Sequence, residues 1–294
     1  MCDAPRQGIA VGFFDGVHRG HQAILETARV ALTFRNHPLS VLKPSLAPRL
    51  IMPFAARAQA IRQCGVEEVV ALDFTPALAA LPPEAFARTY LTEKHVRCGE
   101  NWHFGCGGSG NAALLRALGF TVEVVPFAVS AGARVSSTRI RAAIESGAIA
   151  EANDMLGRAF SVTGRVQRGK GLGRVWGCPT LNLEPADLEL RLPRGVYAVE
   201  ALGRRAVANY GVAPTLGARA WAKDVLEVHF LDDVPETSDS EACGDVPVAF
   251  RAFLRAERAF PSTDALQAQI RDDCLAAKLL FDKILPNQQK GKNP

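Results

Sequence analysis

Near Gly157 the chain stops alternating strands with helices and begins to run short strands broken by glycine and proline. Upstream, apolar strand-like runs at 9–14, 30–34, 69–74 and 122–126 alternate with helical stretches at 22–29, 53–64, 82–94 and 137–146. A helix between two strands carries the chain back to the other end of the sheet, so its neighbours pair in parallel. Residues 1–157 therefore read as an α/β domain, a doubly wound parallel sheet with helices on both faces. Downstream, strand-like runs at 161–167, 195–201, 205–210 and 225–231 have no helical stretch between them. They are expected to form a small antiparallel β-barrel over 158–285. That domain closes with a helix over 263–284, whose Leu266, Ile270, Cys274, Ala277, Leu280 and Phe281 recur at helical spacing. The polar tail 286–294 is expected to be disordered.

A length of 294 residues suits two such domains without staples. The net charge of +4 is scattered, with no basic block, which argues against nucleic acid and suits small phosphate-bearing substrates. Seven cysteines with no Cys-x-x-Cys pair read as free thiols of a reducing compartment, so a cytoplasmic place is expected. No stretch is apolar for long enough to suggest a membrane span. Nothing in the residues speaks to the oligomeric state.

Residues 12–21 read GFFDGVHRGH, a strand end, a glycine turn and the start of a helix. His18 and His21, three apart, share one face of the first helical turn. Gly20 between them lets a phosphate approach the backbone, at a helix end that already favours anions. Gly12, Phe13, Asp15 and Gly20 are thus candidate nucleotide-binding positions, and the two histidines candidate stabilisers of charge at phosphorus. Residues 136–141 read SSTRIR and open another helix. Ser137 and Thr138 can cap that helix or bind phosphate, and Arg139 and Arg141 add charged donors.

The second half offers a different site. Residues 169–182 read GKGLGRVWGCPTLN. Gly169, Lys170, Gly171 and Gly173 form a loop able to wrap phosphates, though it is not the GxxxxGK[ST] pattern. Beyond Pro179, Thr180 and Asn182 point to one side of an extended segment and can hold Mg²⁺ by oxygen. Leu226, Val228 and Phe230 alternate with Glu227 and His229. Glu227 read alone is either a wet strand position or a base for an attacking hydroxyl.

Taken in order, GFFDGVHRGH, TFRNHP at 33–38, GENWHFG at 99–105 and SSTRIR resemble the adenylyltransferase half of the bacterial bifunctional riboflavin kinase/FAD synthetases. GKGLGRVWGCPTLN, PRGVY at 193–197, LEVH at 226–229 and FLRAERAF at 253–260 resemble the kinase half. The resemblance implies ATP-dependent phosphorylation of riboflavin to FMN, then adenylylation of FMN to FAD with release of pyrophosphate. It implies that His18, His21, Asn101 and the SSTRIR residues serve ATP and the transition state. It makes Thr180 and Asn182 the Mg-ATP residues and Glu227 the base. Two narrower readings compete. One retains a single activity, the kinase rather than the adenylyltransferase, because 22–32 is shorter than in the family. The other is a flavin- or nucleotide-binding sensor, which would have no use for a base such as Glu227.

Overall fold

The computed structural model describes residues 6–167, 180–213, 223–231 and 244–284. The chain divides into two compact units, Met1–Ile140 with Met155–Gly157, and Arg141–Asp154 with Arg158–Pro294.

In the first unit, strands β1 (Ile9–Val11), β2 (Val30–Phe34), β3 (Glu68–Leu72), β4 (His95–Gly99) and β5 (Thr121–Val125) form a sheet in the order β3-β2-β1-β4-β5. Every pairing is parallel. Helices α1 (Arg19–Leu25), α2 (Leu39–Leu42), α3 (Phe54–Gln63), α4 (Pro76–Ala79), α5 (Pro83–Tyr90) and α6 (Ala112–Ala117) lie between the strands. A hairpin of β6 (Val129–Ser130) and β7 (Ala133–Arg134) follows; α7 (Ser137–Glu145) begins in this unit and α8 (Ile149–Leu156) ends in it, while residues 141–154 of the two helices belong to the second. Successive strand residues face opposite ways. Ile9, Val11, Val30 and Leu32 accordingly pack with Phe86, Ala87 and Leu115 on one face. Ala10 and Ala31 pack with Leu25 and Ile61 on the other. The sheet is doubly wound, as the alternation of the sequence implies.

The differences from the sequence reading have local causes. The first strand ends at Val11 rather than at 14, because Phe14 (φ 58°) and Val17 (φ 41°) take left-handed backbone that no strand can contain. The next helix starts at Arg19 rather than at 22, since His18 caps it. Helix α5 stops at Tyr90 instead of running to 94, because β4 begins at His95 and the chain must turn before it. That strand is hidden in the sequence by Arg97, which is buried. Its guanidinium donates to the carbonyls of Ile24 and Ala23 at 2.9 Å each and pairs with Glu123 at 2.5 Å, so the charge is satisfied.

In the second unit, β8 (Phe160–Gln167), β9 (Thr180–Pro185), β10 (Gly195–Ala201), β11 (Arg204–Ala213), β12 (Lys223–Phe230) and β13 (Asp245–Ala256) close a barrel in the order β10-β11-β12-β9-β8-β13. Antiparallel pairing of β13 with β10 completes the ring, so neither edge is left open. Leu181, Leu183, Val199, Ala208, Leu226, Val228 and Phe250 are buried at alternate strand positions and fill the interior. Strand β13 escapes the sequence reading because Pro247 lies within it and two register shifts against β10 break its alternation. Helix α9 (Thr263–Ile284) packs Ala277 and Phe281 with Val196, Ala198 and Val207 of the barrel strands. Asn153 ties two strands together: its Oδ1 accepts Phe160 N–H at 2.7 Å and its Nδ2 donates to the Phe250 carbonyl at 2.8 Å. In the first unit, Gln22 Nε2 donates to the Leu156 carbonyl at 2.8 Å.

Gly195 stands where two barrel strands approach closely. Its φ is 152°, and a Cβ there would stand 2.2 Å from the Arg255 carbonyl oxygen. Gly195→Ala is expected to cost on the order of 1–3 kcal/mol in backbone strain alone and to lower the thermal midpoint of the barrel. An unchanged midpoint would show that the two strands can separate freely at this pairing.

Candidate active sites

The order of the first sheet reverses at β1, which lies between β2 and β4. A reversal of this kind opens a crevice beyond the carboxyl ends of the strands. Residues 12–17 leave β1 there, and Gly99 to Asn101 leave β4 beside them. A Cβ on Gly99 would stand 3.8 Å from Asn101 Oδ1, so the amide folds back over the end of β4.

His18 is the N-cap of α1, in extended backbone, and its Nδ1 accepts the His21 N–H at 3.3 Å. The two imidazoles stack with centroids 3.5 Å apart, and the Phe14 ring meets His21 edge-on at 5.3 Å. A Cβ on Gly20 would lie 3.3 Å from the His18 ring, so glycine leaves the backbone bare beside the imidazoles. Asp15 is buried, and its carboxylate accepts the Ile51 N–H at 3.1 and 3.2 Å. That contact makes Asp15 a loop anchor in this conformation. Thr33 Oγ1 donates to the Phe13 carbonyl at 3.0 Å, and the His37 ring packs edge-on against Phe13 at 4.7 Å.

The structure brings the two phosphate motifs of the first unit together. Ser137 Oγ donates to the Asp15 carbonyl at 2.9 Å, which fixes the start of α7 to the loop that follows β1. Thr138 is exposed at the same helix start. Arg139 Nη1 donates to the carbonyls of Ala133 and Arg134 at 3.0 and 2.9 Å, holding the β6–β7 hairpin, while Arg141 follows on α7. Sequence reasoning missed Arg57. This arginine of α3 is fully buried and donates to the Phe34 and Arg35 carbonyls at 2.6 and 3.0 Å. Its guanidinium lies 4.0 Å from the centre of the Phe13 ring, a cation–π contact. An arginine among alanines on a short helix carries no sequence mark of that role.

In the second unit the polar residues gather on the outer face of adjoining strands. Leu181 and Leu183 of β9 are buried, leaving Thr180 and Asn182 on the opposite side. Glu227 of β12 pairs with Asn182 of β9 and with Asn209 of β11; His229 pairs with Thr180 and with Val207. Directly opposed residues share a face, with Cβ atoms about 4.5–5.5 Å apart. Thr180, Asn182, Asn209, Glu227 and His229 therefore form one patch. Crowding by surrounding protein, and secondarily the Glu257 carboxylate, push the Glu227 carboxyl above its ordinary value even though the residue is exposed in part. Burial pushes the His229 imidazole below its usual value, against the pull of the Asp273 carboxylate. Asp273 is held by Arg255, which donates to its two oxygens at 2.8 and 2.7 Å. Gly169, Lys170, Gly171, Gly173 and Pro179 lie outside the described residues, as do 232–243 and the tail.

The hydroxyl of Thr180, the amide of Asn182 and the carboxylate of Glu227 are oxygen donors. No group of three or more His, Cys, Asp or Glu that could hold a metal occurs among the described residues. Such a donor set fits a hard cation that keeps waters and phosphate oxygens as its other ligands.

Comparison with known proteins places a family on each half of the chain. Residues 3–139 match the FAD synthetase family and residues 156–281 the riboflavin kinase family. The chain is 33% identical to the bifunctional riboflavin kinase/FMN adenylyltransferase of Escherichia coli K12, over 97% of each chain. It is 34% identical to the protein of that name from Pseudomonas fluorescens, over 92% of this chain and 91% of that one. Among solved structures it is similar to one described as a macrolide-efflux protein from Streptococcus pneumoniae. The TM-score is 0.78 at 29% identity, covering 94% of this chain and 95% of that one. Among the described residues no helix is long and apolar enough to cross a membrane.

Proposed function

This chain belongs to the bifunctional riboflavin kinase/FMN adenylyltransferase family, and from that premise we propose how its residues divide the two reactions. The protein is a transferase of flavin cofactor synthesis: it phosphorylates riboflavin to FMN with ATP and adenylylates FMN to FAD. Residues 1–157 carry the adenylyl transfer and 158–285 the kinase.

In the adenylyl transfer an FMN phosphate oxygen attacks the α-phosphorus of ATP, and the bond to pyrophosphate breaks. His21, backed by the stacked and capping His18, donates to the phosphate oxygens at the amino end of α1, where backbone dipoles already favour anions. Gly12, Phe13, Asp15 and Gly20 shape the loop, Asn101 faces the same crevice, and Ser137, Thr138, Arg139 and Arg141 supply the second clamp. In the kinase reaction Glu227 takes the proton of the terminal ribityl hydroxyl as that oxygen attacks the γ-phosphorus of ATP and ADP leaves. Thr180 and Asn182 would hold the nucleotide's Mg²⁺, and Gly169, Lys170, Gly171, Gly173 and Pro179 are the candidate contacts for its phosphates. When bound there, Mg²⁺ neutralises charge on the phosphate chain.

The observation that carries this reading is the cross-strand pairing of Glu227 with Asn182, which supports a base and a cation ligand acting on one substrate. Both substrates and ATP are small and intracellular, so the enzyme works in the cytoplasm. Incubation with riboflavin, ATP and Mg²⁺ should yield FMN first and FAD after it, resolved by chromatography. FMN without FAD would remove the first unit from catalysis, and unchanged riboflavin would favour a binding protein without turnover.

A further inference from the structure

Glu257 enters the chemistry above only as a neighbour of Glu227, yet its carboxylate reaches the same patch. On β11 the residue two on from Asn209 is Gly211, which faces the same way and pairs with Val225 of β12. A Cβ on Gly211 would stand 2.9 Å from Glu257 Oε1 and 3.5 Å from Asn209 Nδ2. The bare strand at Gly211 is therefore what admits the Glu257 carboxylate beside the Asn209 amide. The Glu257 N–H donates to the Arg194 carbonyl at 3.4 Å, which ties the residue to the chain just before β10. The Glu227 and Glu257 carboxylates also feel each other's charge. Register gives the patch a direction. Thr180 pairs with His229 on one side of Glu227, and Gly211 pairs with Val225 on the other. The attacking and leaving oxygens of a phosphoryl transfer stand roughly in line, so an acceptor lies on the side away from the nucleotide. With the nucleotide at Thr180 and Asn182, the acceptor extends toward Gly211, two residues or about 7 Å along the strand.

We infer that Glu257 is a specificity-determining residue of the kinase site, whose carboxylate accepts a hydrogen bond from a secondary hydroxyl of the ribityl chain while Glu227 serves the terminal one. The inference rests on the assignment of Glu227 as the kinase base, and its test separates the two. A ribityl chain carries its secondary hydroxyls in a row behind the terminal one. A chain that leaves Glu227 toward Gly211 brings one of them to the Glu257 carboxylate. Two neighbouring carboxylates repel each other, and hydroxyl donors from the substrate offset that cost. A flavin without those hydroxyls would cover the carboxylate and leave it unpaired. A site built to hydrogen-bond a hydroxyl rejects an analogue that lacks it for this reason.

The full-length chain is given Mg²⁺, ATP and one of two acceptors: riboflavin, or the flavin that carries an ω-hydroxypentyl chain in place of ribityl. The second keeps the ring and the terminal hydroxyl and lacks the secondary ones. Phosphorylated flavin is resolved by chromatography, FMN and FAD being counted together, and kcat/KM is taken for each acceptor. Glu257→Ala is expected to lower the preference for riboflavin over the hydroxypentyl flavin about tenfold. The effect of Glu257 on the Glu227 carboxyl acts on both acceptors alike and cancels in this ratio. Gly211→Ala leaves the carboxylate in the chain but crowds it from its place, and should lower the preference about three- to tenfold. That variant carries the test if Glu257→Ala does not fold. An unchanged preference in Glu257→Ala, whatever the loss of rate, overturns the role of Glu257 and leaves the kinase assignment standing. Undiminished phosphorylation of both acceptors by Glu227→Gln removes the assignment of the base and the inference with it.

Discussion

Glu227→Gln yields an enzyme that still binds ATP and riboflavin but forms FMN about 10²–10⁴-fold more slowly, while FAD still forms from supplied FMN. The substitution keeps the shape of the side chain and most of its hydrogen bonding, so β12 should hold its register with β9 and β11. What goes is the proton acceptor. A primary hydroxyl is a poor nucleophile near neutral pH, and its attack on phosphorus is helped only if the proton has somewhere to go. The environment of Glu227 suits that task, because surrounding protein and Glu257 both raise its proton affinity above that of an ordinary carboxylate. Initial rates of FMN formation, with nucleotide and riboflavin binding measured separately, check the expectation. A variant that phosphorylates riboflavin near the original rate would take Glu227 out of the mechanism.

His21→Ala should do the reverse, lowering FAD formation by roughly 10²–10³ with FMN formation intact. His21 is a better probe than His18, because the two stacked rings hold different posts. His18 is buried and caps α1, so replacing it would also cost on the order of 1 kcal/mol of helix stability. His21 lies one turn on, accepts no structural duty from the cap beyond its own N–H, and is the imidazole more open to a phosphate. Its loss removes a preorganised donor and leaves the helix start in place. Separate assays of the two reactions on one preparation decide the matter. Equal loss of both activities in a folded protein would contradict two independent sites.

The sequence reveals the fold class through its change of period, and it reveals the sites through short motifs that fall at strand ends. It is silent where charge is buried. Arg97 disguises β4 because nothing in HVRCG says that the carbonyls of Ala23 and Ile24 await its guanidinium. Arg57 is invisible for the same reason, since its partners are backbone atoms of a distant strand end. Strand β13 is lost to its two register shifts, which destroy the alternation that marks a strand. The patch around Glu227 is half legible. Alternation puts Glu227 and His229 on one face, but only pairing in space sets Asn209 and Asn182 to either side of Glu227. An isolated asparagine in a strand gives no hint of such neighbours.

The two units are threaded through one another in sequence: residues 141–154 belong with the barrel, while 155–157 belong with the sheet. Asn153 serves the barrel through Phe160 and Phe250, and Leu156, three residues later, serves the sheet through Gln22. No single cut therefore frees both parts intact. A fragment beginning at Arg158 lacks the amide that satisfies Phe160 N–H, and one ending at Ile140 lacks the carbonyl that receives Gln22. During synthesis the same threading imposes an order. The helix that bears Asn153 leaves the ribosome after the last strand of the sheet and about a hundred residues before the strand that bears Phe250, so its amide donor must wait while the barrel is completed.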